Sequence, residues 1–426
     1  MSKKEKTILP KLRFKQFENS PEWNINELGN LSVPVVARAG TKQYMLMSVT
    51  SGVGLISQIE KFGREIAGSA YKNYYVIKKN DFAYNKSATK LYPEGYISML
   101  TEFEEAAVPN SIFTCFRIID KDCDPRFFDQ LFHNNYHGTW LRNYIEVGSR
   151  AHGSLGINPR HLWDMPIALP EYTEQLKIAD CLTSLDELIA AENKKLEALK
   201  IHKKGLMQKL FPAEGKTVPE WRFPEFRDSG EWEIKRISEV TKYVDYRGKT
   251  PVKSAGGIFL VTAKNIKMGY VDYFSSQEFI PNDSYSEVMS RGLPKIGDVI
   301  ITTEAPVGNV AQVDNENVAL AQRIIKYRGI ENVLNNTYLK FVFLSSKFQA
   351  ELLSKSTGGI VKGIKGSVLH GLVIDVPKLK EQQKIADCLS EVEALISTQS
   401  EKVELLKAHK KGLMQGLFPS VQEVIE

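Results

Sequence analysis

Along residues 174–212, apolar side chains recur at Ile178, Leu182, Leu185, Ile189, Leu196, Leu199, Leu206 and Leu210, with Glu192 and Lys203 completing the series. The steps alternate four and three, the 3.5-residue period of a coiled-coil seam. Residues 381–419 repeat the pattern with Ile385, Leu389, Val392, Ile396, Val403, Leu406, Leu413 and Leu417, and place Gln399 and Lys410 in the polar slots. No proline interrupts either run; Pro170 and Pro377 precede them, and Pro212 and Pro419 follow, where a helix should stop. Each run predicts one helix of 39 residues, about 58 Å long at 1.5 Å per residue. Two readings follow: each helix packs on its own neighbouring block, or the two matching seams bury each other. Length and strict heptads favour mutual pairing. If the pairing is antiparallel, the blocks preceding the helices fall at opposite ends about an approximate two-fold axis, which suits the local dyads of duplex DNA.

The two runs are copies. EQLKIADCLTSLDELIAAENKKLEALKIHKKGLMQKLFP and EQQKIADCLSEVEALISTQSEKVELLKAHKKGLMQGLFP share 24 of 39 positions at a constant offset of 207. A second repeat lies upstream of each. PKLRFKQFENSPEWNI from Pro10 matches PEWRFPEFRDSGEWEI from Pro219 in Arg13/Arg222, Phe14/Phe223, Phe17/Phe226, Ser20/Ser229 and Trp23/Trp232. The chain therefore divides into an arm (1–23), a block (24–173), a helix (174–212), a second arm (213–232), a second block (233–380), and a helix with its tail (381–426). A period near 207 residues is a domain duplication, not a solenoid. Scaffold segments that stay alike while the blocks diverge suit copies that pair, or meet equivalent partners, while the blocks read different things. Within the blocks, runs such as YYVIKKNDFAYN alternate as strands do, so the whole predicts an α+β fold: two mixed α/β domains separated by two long antiparallel coiled-coil helices.

Composition bounds the class. The 426 residues allow two to four domains. Lys and Arg total 56 against 51 Asp and Glu, a net +5, which excludes a polycation and an acidic disordered chain. No apolar run reaches the ~18 residues of a spanning helix, so no membrane role is expected. MSKKEKTILPKLRF lacks a secretory core, and four Cys without a CxxC pair make no disulfide framework; a cytoplasmic protein is the simplest expectation. The helical runs carry net +1 and −1, so any DNA-binding charge is a matter of local patches.

Three such patches stand out. Residues 70–92 interleave Lys72, Lys78, Lys79, Lys86 and Lys90 with Tyr74, Tyr75, Tyr84 and Tyr92, although Tyr75, Ile77, Phe82 and Tyr84 also fit a core with the lysines on a solvated face. In the second block, Arg247, Lys249, Lys253, Lys264 and Lys267 sit near Gly and Asn, where backbone amides and cations can approach phosphate. Finally, 148–170 and 355–377 align at the 207 offset as Gly/Ser loops bearing Arg150 and Arg160, and Lys362 and Lys365; each is a phosphate- or base-contacting loop or a plain packed turn.

Catalytic and metal motifs are absent. GGIVKGIKGS (358–367) lacks the ending of a phosphate loop, DMPI (164–167) is not a methyltransferase tetrapeptide, and His133 and His137 lack the metalloprotease Glu. Cys181 and Cys388 read as small packing residues. Glu192/Gln399 and Lys203/Lys410 read as polar layers that set the register of the helices.

The double repeat, with EQxKIADxL opening and KKGLMQxLFP closing each helix and RFxxF and EW in each arm, resembles the specificity subunit of Type I restriction–modification systems across essentially the whole chain. GDVIITTEAPVGNVA (297–311), AQR (321–323, ending in Arg323, a further candidate DNA contact) and NDFAYNKS (80–87) are also similar to parts of its recognition domains. The resemblance implies a non-catalytic, sequence-specific DNA-binding subunit. Each target-recognition domain would read one half of a bipartite asymmetric site in double-stranded DNA, and the helices would fix the gap. Two modification (methyltransferase) subunits would dock on the repeats, and restriction subunits would join them. S-adenosylmethionine, ATP and Mg would reside on those partners, with no cofactor in this chain. Two rivals stay open: a self-sufficient DNA methyltransferase or nuclease, and a coiled-coil adaptor that never touches DNA.

Overall fold

The computed structural model describes residues 7–50, 52–145, 155–246, 248 and 250–425. Two compact units result, one of Met1–Asn193 with Glu401–Glu426, the other of Lys194–Ser400. Two continuous helices, Tyr172–Leu210 and Leu379–Leu417, each 39 residues long, contribute to both units. They start two residues before the repeated sequence and stop two residues before Pro212 and Pro419, as expected where proline cannot supply an N–H.

The first unit contains β1 (Thr7–Ile8), β2 (Trp23–Glu27), β3 (Ser32–Pro34), β4 (Met45–Thr50), β5 (Gly54–Ser57), β6 (Tyr75–Lys78), β7 (Phe82–Asn85), β8 (Tyr96–Met99), β9 (Glu105–Val108), β10 (Phe113–Ile118) and β11 (Pro166–Leu169). They form three sheets, ordered β1-β2-β11, β3-β10-β7-β8 and β5-β4-β9-β6. β7 is buried on both faces, and this departs from the alternation read in YYVIKKNDFAYN. Phe82 and Tyr84 enter a core with Trp23, Phe116, Phe127 and Phe132, while Ala83 faces a second core with Met47, Ile77 and Cys115. Tyr75 is only half-buried, with the Arg38 guanidinium 4.0 Å above its ring.

That first core is completed by residues far along the chain. Ile178 and Leu182 of the first long helix meet Met414 and Leu417 of the second and the Phe418 that follows it, with Val421 and Val424 of the helix Val421–Ile425. The Phe127 and Phe418 rings lie 5.2 Å apart, and the Leu12 N–H donates to Gly416 O at 2.8 Å.

The second unit holds β12 (Glu233–Arg236), β13 (Thr241–Asp245), β14 (Ile258–Val261), β15 (Phe279–Ile280), β16 (Val299–Thr303), β17 (Val307–Gln312), β18 (Val318–Leu320), β19 (Ile324–Gly329) and β20 (Val373–Val376), in sheets β12-β20, β13-β19-β16-β17 and β15-β14-β18. Its main core mirrors the first: Ile385 and Leu389 meet Leu210 and Phe211, together with Trp232 and Tyr338.

Inside each unit the helix segments run antiparallel. In the first, Lys410 reaches Asp186 at 2.6 Å and Lys402 reaches Glu192 at 2.6 Å, so one number falls as the other rises. In the second, Lys203 donates to Glu393 at 2.7 Å, while Leu210 and Phe211 lie in the core with Ile385 and Leu389. Every seam position named from the sequence is buried or half-buried: Leu196, Val392 and Val403 are buried, and Leu185, Ile189, Leu199, Ile396 and Leu406 half-buried. The two packing readings merge, because the first turns of each seam face its own block and the other helix together. Three of the polar slots, Glu192, Lys203 and Lys410, form ion pairs with Lys402, Glu393 and Asp186, and the fourth, Gln399, is buried. Cys181 and Cys388 are free, half-buried residues of these helices, and burial pushes the Cys388 thiol up.

Candidate nucleic-acid interface

Each block hangs on the same joint. Arg13 donates to Glu174 through Nε and Nη2 at 2.8 and 2.6 Å, and through Nη1 to Ser20 O at 2.8 Å. In the second copy, Arg222 donates to Glu381 at 2.6 and 2.7 Å and to Gly230 O at 2.7 Å. These four charged side chains are at most 8% exposed. The next residue locks the block itself. Gln175 accepts from the Asp124 N–H and donates to Pro170 O and Asp122 O; Gln382 accepts from the Asn335 N–H and donates to Pro377 O and Val333 O. Asp124 and Asn335 cap the helices Pro125–His133 and Asn336–Leu344, so the EQ pair of each long helix ties arm, strand and capping helix together.

A second duplicated device sets the recognition strands. Asp81 and Asp298, both fully buried, open β7 and β16. Asp81 accepts from the Lys78 N–H at 2.7 Å and from Arg117 at 2.6 and 2.7 Å; Asp298 accepts from the Lys295 N–H at 3.0 Å and from Arg328 at 2.5 Å. Each follows a left-handed residue, Asn80 (φ 70°) or Gly297 (φ 85°). Side-chain hydrogen bonding at Asp81 and Asp298 raises the pKa of Arg117 and Arg328, so both guanidiniums stay charged.

In the first block, β4 and the end of β7 floor an open groove of about 800 Å³. Lys61, Phe62 and Ile66 line it on one side, and Lys90, Leu91 and Tyr92 on another, with Asn85, Ser87, Thr89 and Ser111 supplying polar groups. Lys61 lies near Ser48 Oγ and Val49 O at 3.3 and 3.4 Å, and burial lowers its pKa. Lys86 is half-buried, and its carbonyl accepts from the Leu155 N–H at 2.9 Å, which seats Leu155 beside this strand end. Lys72 is exposed, away from that lining. Lys78 lies 3.8 Å from Glu105, and Arg160 is paired with Asp164 at 3.3 Å. Arg150, Arg247 and Lys249 lie outside the described residues.

In the second block the equivalent carbonyl, Thr303 O, accepts from the Ile364 N–H at 2.9 Å, which brings the 355–365 loop against the end of β16. Arg323 pairs with Glu304 at 2.6 Å, and Glu304 bridges to Gly363. Arg323, Lys362 and Lys365 thus belong to one surface, and both lysines are exposed. Lys264 and Lys267 belong to a different turn, anchored on β17 by Asn309 Nδ2 to Ile266 O at 2.7 Å and the Gly269 N–H to Val310 O at 2.7 Å.

Lys61, Leu91 and Glu304 were not singled out from the sequence. Lys61 sits on a short helix, Gln58–Phe62, bounded by the Ser57 cap and the left-handed Gly63, and those two residues were its only local signal. His133 lies 3.5 Å from Asp129, and the fully buried His137 faces Gly95 O at 3.4 Å. No group of three or more His, Cys, Asp or Glu among the described residues could hold a metal ion, and no helix there is long and apolar enough to cross a membrane.

Comparison with known proteins agrees with this duplicated plan. The family model described as the Type I restriction modification DNA specificity domain matches twice, over residues 23–200 and 229–407. The chain is similar to the MjaVIII specificity subunit of a type I restriction enzyme from Methanocaldococcus jannaschii, 26% identical over 292 residues, which are 65% of this chain and 66% of that protein. It is also similar to the putative MjaX specificity subunit from the same organism, 28% identical over 291 residues, 64% of this chain and 63% of that protein. The match therefore spans slightly under two thirds of both relatives. Among solved structures, the S subunit of a Type-I restriction-modification system from M. genitalium shares the fold at a TM-score of 0.60, with 12% identity and coverage of 97% of this chain and 100% of that one. A chain from a study of complex assembly and conformational transition in the type I R-M system has a TM-score of 0.52 and 18% identity, covering 93% and 98%.

Proposed function

We propose that this chain, which belongs to the type I restriction–modification DNA specificity family, is the DNA-reading subunit of a type I complex and has no catalysis of its own. Each block reads one half of a bipartite, asymmetric site, and the two 39-residue helices set the number of unread base pairs between the halves. Two modification subunits dock on the repeated arms and helices, restriction subunits join them, and S-adenosylmethionine, ATP and Mg act on those partners. Adenine methylation or DNA cleavage then follows from what this chain has read.

One observation carries the reading. The Arg–Glu and Gln joints are duplicated, while the surfaces they hold differ: a groove with Lys61 and Lys90 in one block, and an Arg323–Lys362–Lys365 face in the other. Identical joints suit two identical partners, and different faces suit two different half-sites. Counterion release needs only a few placed cations, so the near-neutral chain is no obstacle.

The test is to map methylated adenines in cells carrying this chain with its modification subunits, and again with residues 24–173 replaced by the block of another member. One half-site should change while the other half and the gap persist. An unchanged pattern, or methylation by this chain alone with S-adenosylmethionine, overturns the proposal.

A further inference from the structure

Ile360 is fully exposed and its neighbour Val361 is 58% exposed, at the tip of the loop that bears Lys362 and Lys365, and neither aliphatic side chain has a part in the face described above. The loop is rigidly closed. Thr357 and Gly363 exchange both backbone hydrogen bonds at 2.8 Å. Gly358 holds a φ of +118°, where a Cβ would lie 2.2 Å from Val361 O, so glycine is required to close the turn. The base is fixed to the sheet by the Ile364 N–H on Thr303 O and by the bridge from Glu304 to Gly363. Two adjacent aliphatic side chains are thus held out in water on a loop closed by its own backbone hydrogen bonds.

The charges around the tip say what it meets. Lys355, Lys362 and Lys365 flank it, all exposed, and among the described residues none of the three forms an ion pair. By contrast Phe274, another strongly exposed apolar side chain of this block, sits in a turn built on Asp272. An apolar point with unpaired lysines on either side of it along the chain, the nearby Glu304 carboxylate being taken up by Arg323, matches a polyanion with an apolar interior.

We propose that Ile360, supported by Val361, is a wedge that enters a base step of duplex DNA and partly unstacks it, while Lys355, Lys362 and Lys365 hold the flanking phosphates. The second block then reads its half-site partly through how readily that step opens, a form of recognition that needs no hydrogen bond to a base. This rests on the DNA-reading function proposed above.

The experiment uses the full chain assembled with its modification subunits and duplexes carrying 2-aminopurine at successive positions of the half-site read by the second block. The wild-type complex should raise the fluorescence several-fold at one step. I360S/V361S should abolish that rise and flatten discrimination at that step, while the salt dependence of binding stays as in wild type. K362A/K365A should do the reverse, keeping the bright step at low salt but lowering the salt slope. Sequence-selective binding without a bright step, or a bright step that survives I360S/V361S, overturns the wedge alone. A complex that binds no DNA selectively overturns the DNA-reading function with it. Both side chains of the double variant are exposed, so its folding is not at stake.

Discussion

Replacing Glu381 by Gln removes the negative partner of a guanidinium whose side chain is only 7% exposed. Arg222 would keep one acceptor at Gly230 O, 2.7 Å away, and Trp232 Nε1, 3.3 Å from Glu381, would lose its charged acceptor. Breaking one side of a buried pair costs about 3–5 kcal/mol, because the remaining charge stays desolvated. That corresponds to roughly a hundred- to a few-thousand-fold in an opening equilibrium. The effect should localise. β12 and β20 pair over Glu233–Arg236 and Val373–Val376 beside this joint, so their amides should exchange hydrogen faster by that factor. Amides of β2 and β11, beside the equivalent Arg13–Glu174 pair, serve as the internal control. The double variant R222L/E381L should cost less than the sum of its single changes, since it leaves no charge stranded. Hydrogen exchange read by mass spectrometry measures both. A loss under about 1 kcal/mol for E381Q, or strict additivity in the double variant, would refute the reasoning.

Four further outcomes are expected. Phe418→Ala should destabilise the first unit by about 3–5 kcal/mol and Phe211→Ala the second by a similar amount, each leaving the other unit's exchange rates unchanged. His137 is buried with its pKa lowered to about 4. The unfolded chain therefore takes up a proton below about 6.5 that the folded chain refuses, and stability falls as pH drops from 6.5 towards 4. His137→Gln should remove about 3 kcal/mol of that pH-dependent loss, read as the wild-type-minus-variant difference in urea midpoints across pH. K410E should weaken the first unit and D186K/K410E should restore it, with a coupling energy of about 1–3 kcal/mol in a double-mutant cycle. Inserting four residues near Ala198 should lengthen the unread gap with both half-sites kept; an unchanged gap in methylation maps would sink the ruler.

What could be read beforehand was whatever local periodicity encodes. The seam from Ile178 to Leu210 and its copy needed only the 3.5-residue period, and the ion pairs at Lys203, Lys410 and Glu192 occupy the slots where that period runs polar. The matched arginines and the Glu that opens each helix were visible as repeats, but not as partners, because 161 and 159 residues separate them. The Asp81–Arg117 and Asp298–Arg328 devices are equally duplicated, yet they escaped because insertions within the blocks move them off the 207 offset. At the interface the sequence supplied cations without their fates. Lys78, Arg160 and Arg323 face Glu105, Asp164 and Glu304, and only the fold shows which lysines are left without a counter-charge.

The closing segment has a consequence for the order in which the protein is made. The first unit needs Met414, Leu417, Phe418, Val421 and Val424 to finish its core, and Leu12 waits for Gly416. The second unit is an uninterrupted stretch, Lys194–Ser400. On a ribosome, the block translated second has all its residues first, and the block translated first stays open until the codons for Met414 to Val424 are read. A message truncated just before those codons yields a chain whose later half is complete and whose earlier half exposes Trp23, Phe127 and Leu182.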